Sequence, residues 1–505
     1  MVACNKKQSD APESEKPIQS SNQTFRILAG SELKDVADLV VAYGKTQNIN
    51  VVFEYTGTLD AVDLLSDQNQ FDAVWVSHGK YLQLIPSLKG KIKSSEKIMY
   101  SRVVLGVKPE VAKRLHWVTG KVGWNDIVTE AKAGKFHFAM TNPTGSNTGF
   151  VALAGLAAEL SGKGDALEEK DIPSAKLKDL FIGQSMTAGS SGVLADKFLA
   201  DPSAADGIIN YESVIKTISN KGLALEIIIP KEGVITADYP LMLLADAKTP
   251  AFYQKLVEYL RTDIIQKQIA ATTFRTPING SGNDEVVNEL PFPASLNVVD
   301  AILKGFLDEF SRPSTSYYIL DVSGSMNGER IASLKDSMLA LIRGDASTTG
   351  RFSTFHNREN IYLTPFSGEP KPTIKFSIGE NPEQNKQIMN DMANSIQALR
   401  ADGGTAIFTS IASIYPQAQA ELKKENSTVS IILETDGVNT AGMNLESFRR
   451  FVQEQGEPRV PIYAILFGDG NPEEMKALAA ISRGRVFDAK STKLKKVMKD
   501  IRAYQ

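Results

Sequence analysis

The sequence predicts an α/β protein in two halves, each built from strand-turn-helix units around buried sheets. Two observations carry that expectation. Short apolar runs alternate with stretches of helical periodicity from Phe25 to the end of the chain, which is the pattern of parallel strands joined by crossover helices. The alternation is interrupted between Asn279 and Pro313, where Asn279-Gly280-Ser281-Gly282-Asn283 and Pro291-Phe292-Pro293 are rich in turn formers.

In the first half, Phe25 to Ala29 reads as a strand running into the small-residue turn Gly30-Ser31, and Leu33 to Ala42 then reads as a helix. The unit repeats. Val51 to Tyr55 leads to Thr56-Gly57-Thr58, and Ala73 to Val76 leads to Ser77. Each strand thus delivers a hydroxyl to its carboxyl end, beside a helix start whose unpaired N–H groups favour an anion or polar ligand. A second lobe is expected from near Val104 to near Ile227. Within it Phe136 to Met140 feeds the loop Thr141 to Gly149, and that loop opens the apolar run Val151 to Leu160, a buried helix. Ser190 and Ser191 precede the helical Val193 to Leu199, and Tyr211 follows Gly207 to Asn210.

The connector spans 284–313, and helix-like spacing from Ala301 to Phe310 makes it packed rather than loose. From about Ser314 the alternation resumes. Tyr317 to Leu320, Thr428 to Thr435 and Val460 to Phe467 read as buried strands, while Ile331, Leu334, Met338, Leu339, Leu341 and Ile342 recur at helical spacing before Gly344. Glu473 to Ile481 reads as a further helix, so 314–505 is expected to be a doubly wound parallel sheet. Pro416 falls inside the helix that begins near Ala406 and should kink or break it.

Length alone suggests about three globular units, at roughly 150 residues each. Hydrophobic residues at 42% suffice for cored domains, and charged residues at 23% are ordinary. A net charge of -3 argues against nucleic acid as a partner, which needs a concentrated basic surface. No apolar run approaches a membrane-spanning length. The four histidines, His78, His116, His137 and His356, are isolated, with no HExxH and no Gly-x-Ser-x-Gly pattern. Gly145 to Gly149 lacks the Lys-Ser/Thr pair of a nucleotide-binding loop. The expectation is therefore a binding protein and not an enzyme.

Asp321-Val322-Ser323-Gly324-Ser325 directly follows the run Tyr317 to Leu320 and places three oxygen side chains where a buried strand ends. Gly403-Gly404-Thr405 opens a helical stretch, and Asp436 ends the run Thr428 to Thr435. Ligands in open α/β sheets sit beyond the carboxyl ends of the strands. Two carboxylates and three hydroxyls, with no imidazole or thiolate, suit Mg²⁺, Mn²⁺ or Ca²⁺ rather than zinc or copper. Taken singly, Ser323 and Ser325 would be helix caps. Together Asp321, Ser323, Ser325, Thr405 and Asp436 resemble the metal-ion-dependent adhesion site of a von Willebrand factor A (VWA) domain, in the family's order. The resemblance implies that the serines and the threonine contact the metal while the aspartates act largely through water. A carboxylate from a protein partner, Asp or Glu, would then fill the remaining position.

The first half, 23–283 with its second lobe at about 104–227, is similar to type II bacterial solute-binding proteins of the periplasmic-binding-protein class. Leu28 to Val36 and Asp238-Tyr239-Pro240-Leu241 carry the likeness, with the order of strands and turns. The resemblance implies a small polar or anionic solute held by hydroxyls and backbone N–H groups, with Ser146, Asn147 and Thr148 first. Ser31, Thr56, Thr58, Ser77, Ser190, Ser191 and Tyr211 are the further candidates, each of which could instead be a helix cap. The principal loop holds no arginine, which fits recognition by neutral dipoles better than a dedicated phosphate site.

The single cysteine, Cys4, excludes a disulfide framework and a cysteine zinc site. Val2-Ala3-Cys4 resembles the end of a bacterial lipobox, which implies a lipid on Cys4 and attachment to a membrane. Asn5 to Asn22 is rich in Lys, Ser, Gln, Glu and Pro, so 1–22 is a lipoprotein terminus and tether that cannot bury a core. Such a tether would hold the body about 25 Å from its anchor. The sequence therefore reads as a membrane-anchored lipoprotein of the bacterial surface or periplasm that recognises a protein partner through a divalent metal, with a solute as modulator. The alternative is the solute receptor of an ABC-type transporter whose VWA domain serves assembly; a metal-dependent hydrolase is a third reading.

Overall fold

A computed structural model describes residues 23–67, 70–280, 288–425, 427–468, 470–490 and 494–505. Cys4 and the tether lie outside the described residues. Three sheets organise the described residues.

The first is five-stranded, in the order Ile49–Thr56, Gln23–Gly30, Ala73–Trp75, Pro240–Leu244 and Ile92–Lys97. Gln23–Gly30 lies parallel to both of its neighbours, with Gly30 opposite Thr56 and Ala29 opposite Trp75. Equal register brings the three carboxyl ends to one edge, so Ser31, Thr56 to Thr58 and Ser77 emerge side by side. The strand is interior to the sheet, and Phe25, Ile27, Leu28 and Ala29 are all buried, the near-continuous apolar run of a sheet covered on both faces.

The chain crosses to the second lobe at Ile98, where Met99–Val107 pairs antiparallel with Gly207–Tyr211 and Glu226–Ile228. Phe138–Met140 and Gln184–Met186 extend this sheet in parallel beyond Gly207–Tyr211. The sheet also takes Thr236–Ala237 before the chain returns through Tyr239, whose φ of 39° marks a sharp turn. The helices Pro250–Leu260 and Asp263–Thr273 then complete the first lobe.

The connector is packed. Leu290 and Phe292 are buried, and the helix Leu296–Gly305 buries Val298, Val299, Ile302 and Leu303 before a wider turn at Phe306–Phe310. Phe306 meets the Phe181 ring edge-on at 5.1 Å, fixing the connector to the second lobe.

The third sheet has six strands in the order Ile374–Ile378, Glu359–Phe366, Ser314–Asp321, Thr428–Thr435, Ile462–Leu466 and Arg485–Asp488. Only the edge strand Ile374–Ile378 runs antiparallel. Successive side chains of Ser314–Asp321 serve opposite cores. Tyr318 and Leu320 join Leu334 and Met338 of the helix Glu329–Arg343, whereas Tyr317 and Ile319 join Ile407 and Ile411 of the helix Ile407–Leu422. This is the doubly wound arrangement the alternation predicts. Of the kink or break expected at Pro416, the break does not occur, and the helix runs through it to Leu422. Pro416 is exposed, while Ile414, Tyr415 and Ala418 stay buried against the sheet.

Candidate functional site

The carboxyl-end edge of the third sheet gathers five oxygen side chains. Leu320 pairs with Glu434 across the two central strands, so Asp321 and Asp436 leave the sheet beside one another. Both carboxylates are fully buried. Asp321 is held at both oxygens, one accepting from the Ser323 backbone N–H at 2.8 Å and the other from the Thr435 hydroxyl at 2.7 Å. The Ser323 and Ser325 hydroxyls lie 3.0 Å apart, and the Ser325 hydroxyl donates to Asp436 Oδ1 at 2.9 Å. The loop carrying Thr405 is tied to the first by Gly324 N–H donating to the Gly403 carbonyl at 2.9 Å and Asp402 N–H to the Val322 carbonyl at 2.8 Å. A Cβ built on Gly437 would stand 3.5 Å from the Ser325 hydroxyl and 3.7 Å from that of Thr405, so both hydroxyls face one spot. Burial raises the Asp321 carboxyl above its usual range, against the hydrogen bonds from Ser323 and Thr435.

This donor set fits a hard divalent cation: two buried acids and three hydroxyls converge, and no softer ligand stands among them. One feature was not legible in the sequence. Arg330, from the first turn of the helix Glu329–Arg343, places Nη1 2.5 Å from Asp436 Oδ2. Its guanidinium lies over the Gly468 backbone, where an added Cβ would come within 3.1 Å of the Arg330 Cζ. The protein thus supplies one positive charge of its own to the acidic pair.

The second site lies between the two lobes. The helix Asn147–Ser161 begins at the second lobe's rim, and its first N–H groups have no intrahelical partner. Asn147 bridges the lobes: its Nδ2 donates to Glu32 Oε1 at 2.9 Å, and its Oδ1 accepts from the Thr58 hydroxyl. Glu32 folds back over Gly30, where a Cβ would come within 2.4 Å of Oε1, so only glycine leaves room for the carboxylate. Burial raises the Glu32 carboxyl, opposed by the bond from Asn147. Beneath it, the buried Arg275 donates from Nη2 to the Glu32 carbonyl and from Nη1 to Asp35 Oδ2, both at 2.7 Å. The Arg275 guanidinium also stands 4.9 Å from the centre of the Tyr239 ring.

Around this charged core lies a group of unsatisfied hydroxyls. Thr56 and Thr141 each bury a hydroxyl oxygen without a hydrogen-bond partner among the described residues, and those of Ser77, Tyr211 and Tyr239 lack one of full geometry, with Tyr211 near Ser77 and Thr148 and Tyr239 near Arg275. Native interiors rarely leave such groups unpaired unless something else meets them. Burial raises the Tyr211 hydroxyl strongly, with the Glu32 carboxylate adding to the shift and Ser77 and Thr148 flanking it. Burial also pulls His78 down to about 4, and its ring packs against Phe292 at 5.1 Å.

Family comparison resolves the two halves. Residues 25–275 match the bacterial extracellular solute-binding protein family, and residues 317–500 match the von Willebrand factor type A domain. The chain carries a bacterial extracellular solute-binding domain joined to a VWA domain. Inter-alpha-trypsin inhibitor heavy chain H4 of Sus scrofa is 25% identical over 178 residues, 34% of this chain. An uncharacterized protein, sll0103, of a Synechocystis species is 27% identical over 169 residues, 33% of this chain. The chain spans only 18% and 35% of the lengths of those two relatives. Among solved structures, the periplasmic binding protein AfuA of Actinobacillus pleuropneumoniae aligns at 15% identity and a TM-score of 0.45, covering 57% of this chain and 99% of that one. A periplasmic thiamin binding protein aligns at 12% identity and a TM-score of 0.43, covering 56% and 96%.

In the solute-binding domain, Ser31, Thr56, Ser146, Asn147 and Ser190 line a cavity of about 390 Å³. Thr58, Ser77, Thr148 and Tyr211 are buried behind that wall. Ser190 is also the cap of the helix Ser191–Ala200, accepting from the Val193 N–H at 3.4 Å. Ser191 uses its carbonyl, which accepts from Asn210 Nδ2 at 3.1 Å. Glu32, Tyr239 and Arg275 are the residues sequence reasoning missed. Glu32 and Tyr239 stand inside the two segments that carry the family likeness, whereas Arg275 has no local signal.

Proposed function

We propose that this protein is a surface or periplasmic binding protein in which the VWA domain recognises a protein partner through a divalent cation and the bilobal domain takes a small polar solute. The observation that carries the reading is the exposure of the metal edge. Ser325 and Gly324 are exposed, as are Gly403, Gly404 and Val438, although the two acids beneath them are buried. Ser323, Ser325 and Thr405 would hold Mg²⁺, Mn²⁺ or Ca²⁺, with Asp321 and Asp436 orienting its waters. The cation supplies an electrophilic position for a carboxylate. A divalent ion held mainly by neutral hydroxyls stays electrophilic, which favours an Asp or Glu of the partner. Val438, 47% exposed beside Asp436, adds apolar contact.

Titration calorimetry of Mn²⁺ into the full chain tests this reading, with Asp321→Ala as control. Saturable binding that Asp321→Ala removes is expected. No saturable heat, or unchanged binding in the variant, defeats it.

A second reading, solute receptor for a transporter, is favoured by the unsatisfied hydroxyls around Glu32 and Arg275. Hydroxyls, amide and carboxylate together suit a solute rich in donors and acceptors better than a bare anion. A thermal-shift panel of sugars, amino acids and oxyanions should raise the melting temperature for at least one class. A panel without any shift refutes solute binding. No described helix is long and apolar enough to cross a membrane, and attachment is assigned to lipid on Cys4.

A further inference from the structure

The C-terminal end of the VWA domain sits on the mouth of the solute cleft. The helix Leu494–Arg502 leads into Ala503 and Tyr504, and both rest on glycines of the second lobe. A Cβ built on Gly145 would fall 2.3 Å from the Ala503 Cβ, and one on Gly189 would fall 2.6 Å from the Tyr504 ring. Those glycines belong to the loops that present Ser146, Asn147 and Ser190. Arg485, Lys496, Lys499, Asp500 and Tyr504 close the side of the cavity that the lobes leave open.

The same domain also grips the first lobe. Thr349 donates to Asp63 from its backbone N–H at 3.1 Å and from its hydroxyl at 2.5 Å, and Lys496 Nζ lies 3.7 Å from Asp60 Oδ2. Asp60 and Asp63 both belong to the helix Thr58–Asp67. The tail itself is fixed to its own sheet. Gln505 Nε2 donates to the Ser316 hydroxyl at 2.8 Å, Arg502 reaches Glu359 at 2.5 Å, and Arg485 donates to the Tyr504 hydroxyl at 2.6 Å.

Between the lobes the cleft is shut. A Cβ on Gly57 would stand 2.8 Å from the Gly145 carbonyl, and Asn147 links Glu32 with Thr58. A solute reaches the groups between the lobes, around Glu32, Thr58 and Asn147, when the lobes part by hinge motion. Because one domain holds both lobes, parting must break its contacts with one of them.

We infer that the VWA domain clamps the bilobal domain shut, with Ala503 and Tyr504 as a third wall of the solute chamber, so that solute exchange requires the tail to leave Gly145 and Gly189. The inference rests on the cleft being a solute site and assigns control of that site to the other domain. Spin labels at Asp38 and Asp196, exposed residues on the first and second lobes, report the inter-lobe distance by double electron–electron resonance. The measurement uses the full chain with Cys4→Ser and needs no solute. The unmodified clamp should give one narrow distance. Tyr504→Ala and Gly189→Ala disrupt the same contact from opposite sides, and each should add a second, longer population. Gly189 has a backbone that alanine can adopt, and this variant leaves every VWA residue in place, so it decides the matter if Tyr504→Ala does not fold. A single unchanged distance in Gly189→Ala overturns the clamp. A solute panel without hits would sink the solute reading while leaving these distances as they are.

Discussion

Glu434 offers a stability test of the VWA core that is independent of any ligand. It lies on the central strand Thr428–Thr435, opposite Leu320 on one side and Ile465 on the other. It is fully buried, and both carboxylate oxygens are without partners among the described residues. Burial pushes its carboxyl from 4.5 up to about 8. An acid raised in the folded state holds its proton there while the unfolded chain has lost it, so stability falls as pH rises between the two values. The contribution is complete below the unfolded pKa and is lost as pH climbs through about 8.

Glu434→Gln removes the ionisation and keeps the shape. Each pH unit inside that window is worth about 1.4 kcal/mol, so the variant should gain about 3 kcal/mol on the parent between about pH 5 and pH 7. Groups common to both proteins cancel in the difference. Urea unfolding followed by far-ultraviolet circular dichroism gives the comparison. The three tryptophans, Trp75, Trp117 and Trp124, all lie in the bilobal domain, so their fluorescence is an internal control for that half. A stability difference that stays flat across this pH range would show that Glu434 is not held neutral by the core, and the reasoning would fail.

Arg330→Met removes the cation that shares Asp436, so Mn²⁺ affinity measured by calorimetry should rise about tenfold, on the order of 1 kcal/mol for one partly exposed charge near the site; weaker binding would make Arg330 a supporting residue instead. Arg275→Met strips the buried partner from Asp35 and from the Glu32 carbonyl, and should cost the bilobal domain roughly 3–5 kcal/mol, read from the tryptophan unfolding transition; a loss below about 1 kcal/mol would contradict a structural role. Cys4→Ala, expressed behind a secretion leader, should move the protein from the membrane to the soluble fraction, and equal membrane association of both forms would exclude lipid on Cys4.

How much of this was legible in the sequence follows from the range of each interaction. The hydroxyls at strand ends could be read because parallel strands in equal register place them together by local geometry alone, as Gly30 and Thr56 show. That Asp321, Ser323, Ser325, Thr405 and Asp436 meet at one edge could be read because their spacing fits strand ends of one sheet. Arg275 could not, because its partner Asp35 is 240 residues away and nothing in Thr273-Phe274-Arg275 signals a buried cation. Arg330 carries no local signal for a related reason: its contact with Asp436 spans 106 positions. Pro416 was read by its local rule, and tertiary packing on the buried face carried the helix through it without a break.

The two functional edges of the VWA domain are opposite ends of one sheet. Asp321, Thr435 and Asp436 leave the carboxyl ends of the central strands. The contacts with the bilobal domain instead come from the other end: Arg312 precedes the strand Ser314–Asp321 and reaches the Gln184 carbonyl at 3.4 Å, while Gln505 binds Ser316 and Tyr504 meets Arg485 at the start of their strands. Holding the bilobal domain by its amino-end edge therefore leaves the edge that carries Asp321 and Asp436 free of the bilobal domain. The helix Glu329–Arg343 joins the two ends, because Arg330 touches Asp436 at its first turn and Leu334, Met338 and Ile342 share a core with Val497, Met498 and Ile501 of the helix that carries the tail. Packed elements of this kind shift as bodies rather than bend. This helix is thus a continuous packed connection between the Asp436 edge and the tail at the cleft, and linkage requires any binding effect between two such sites to be equal in both directions.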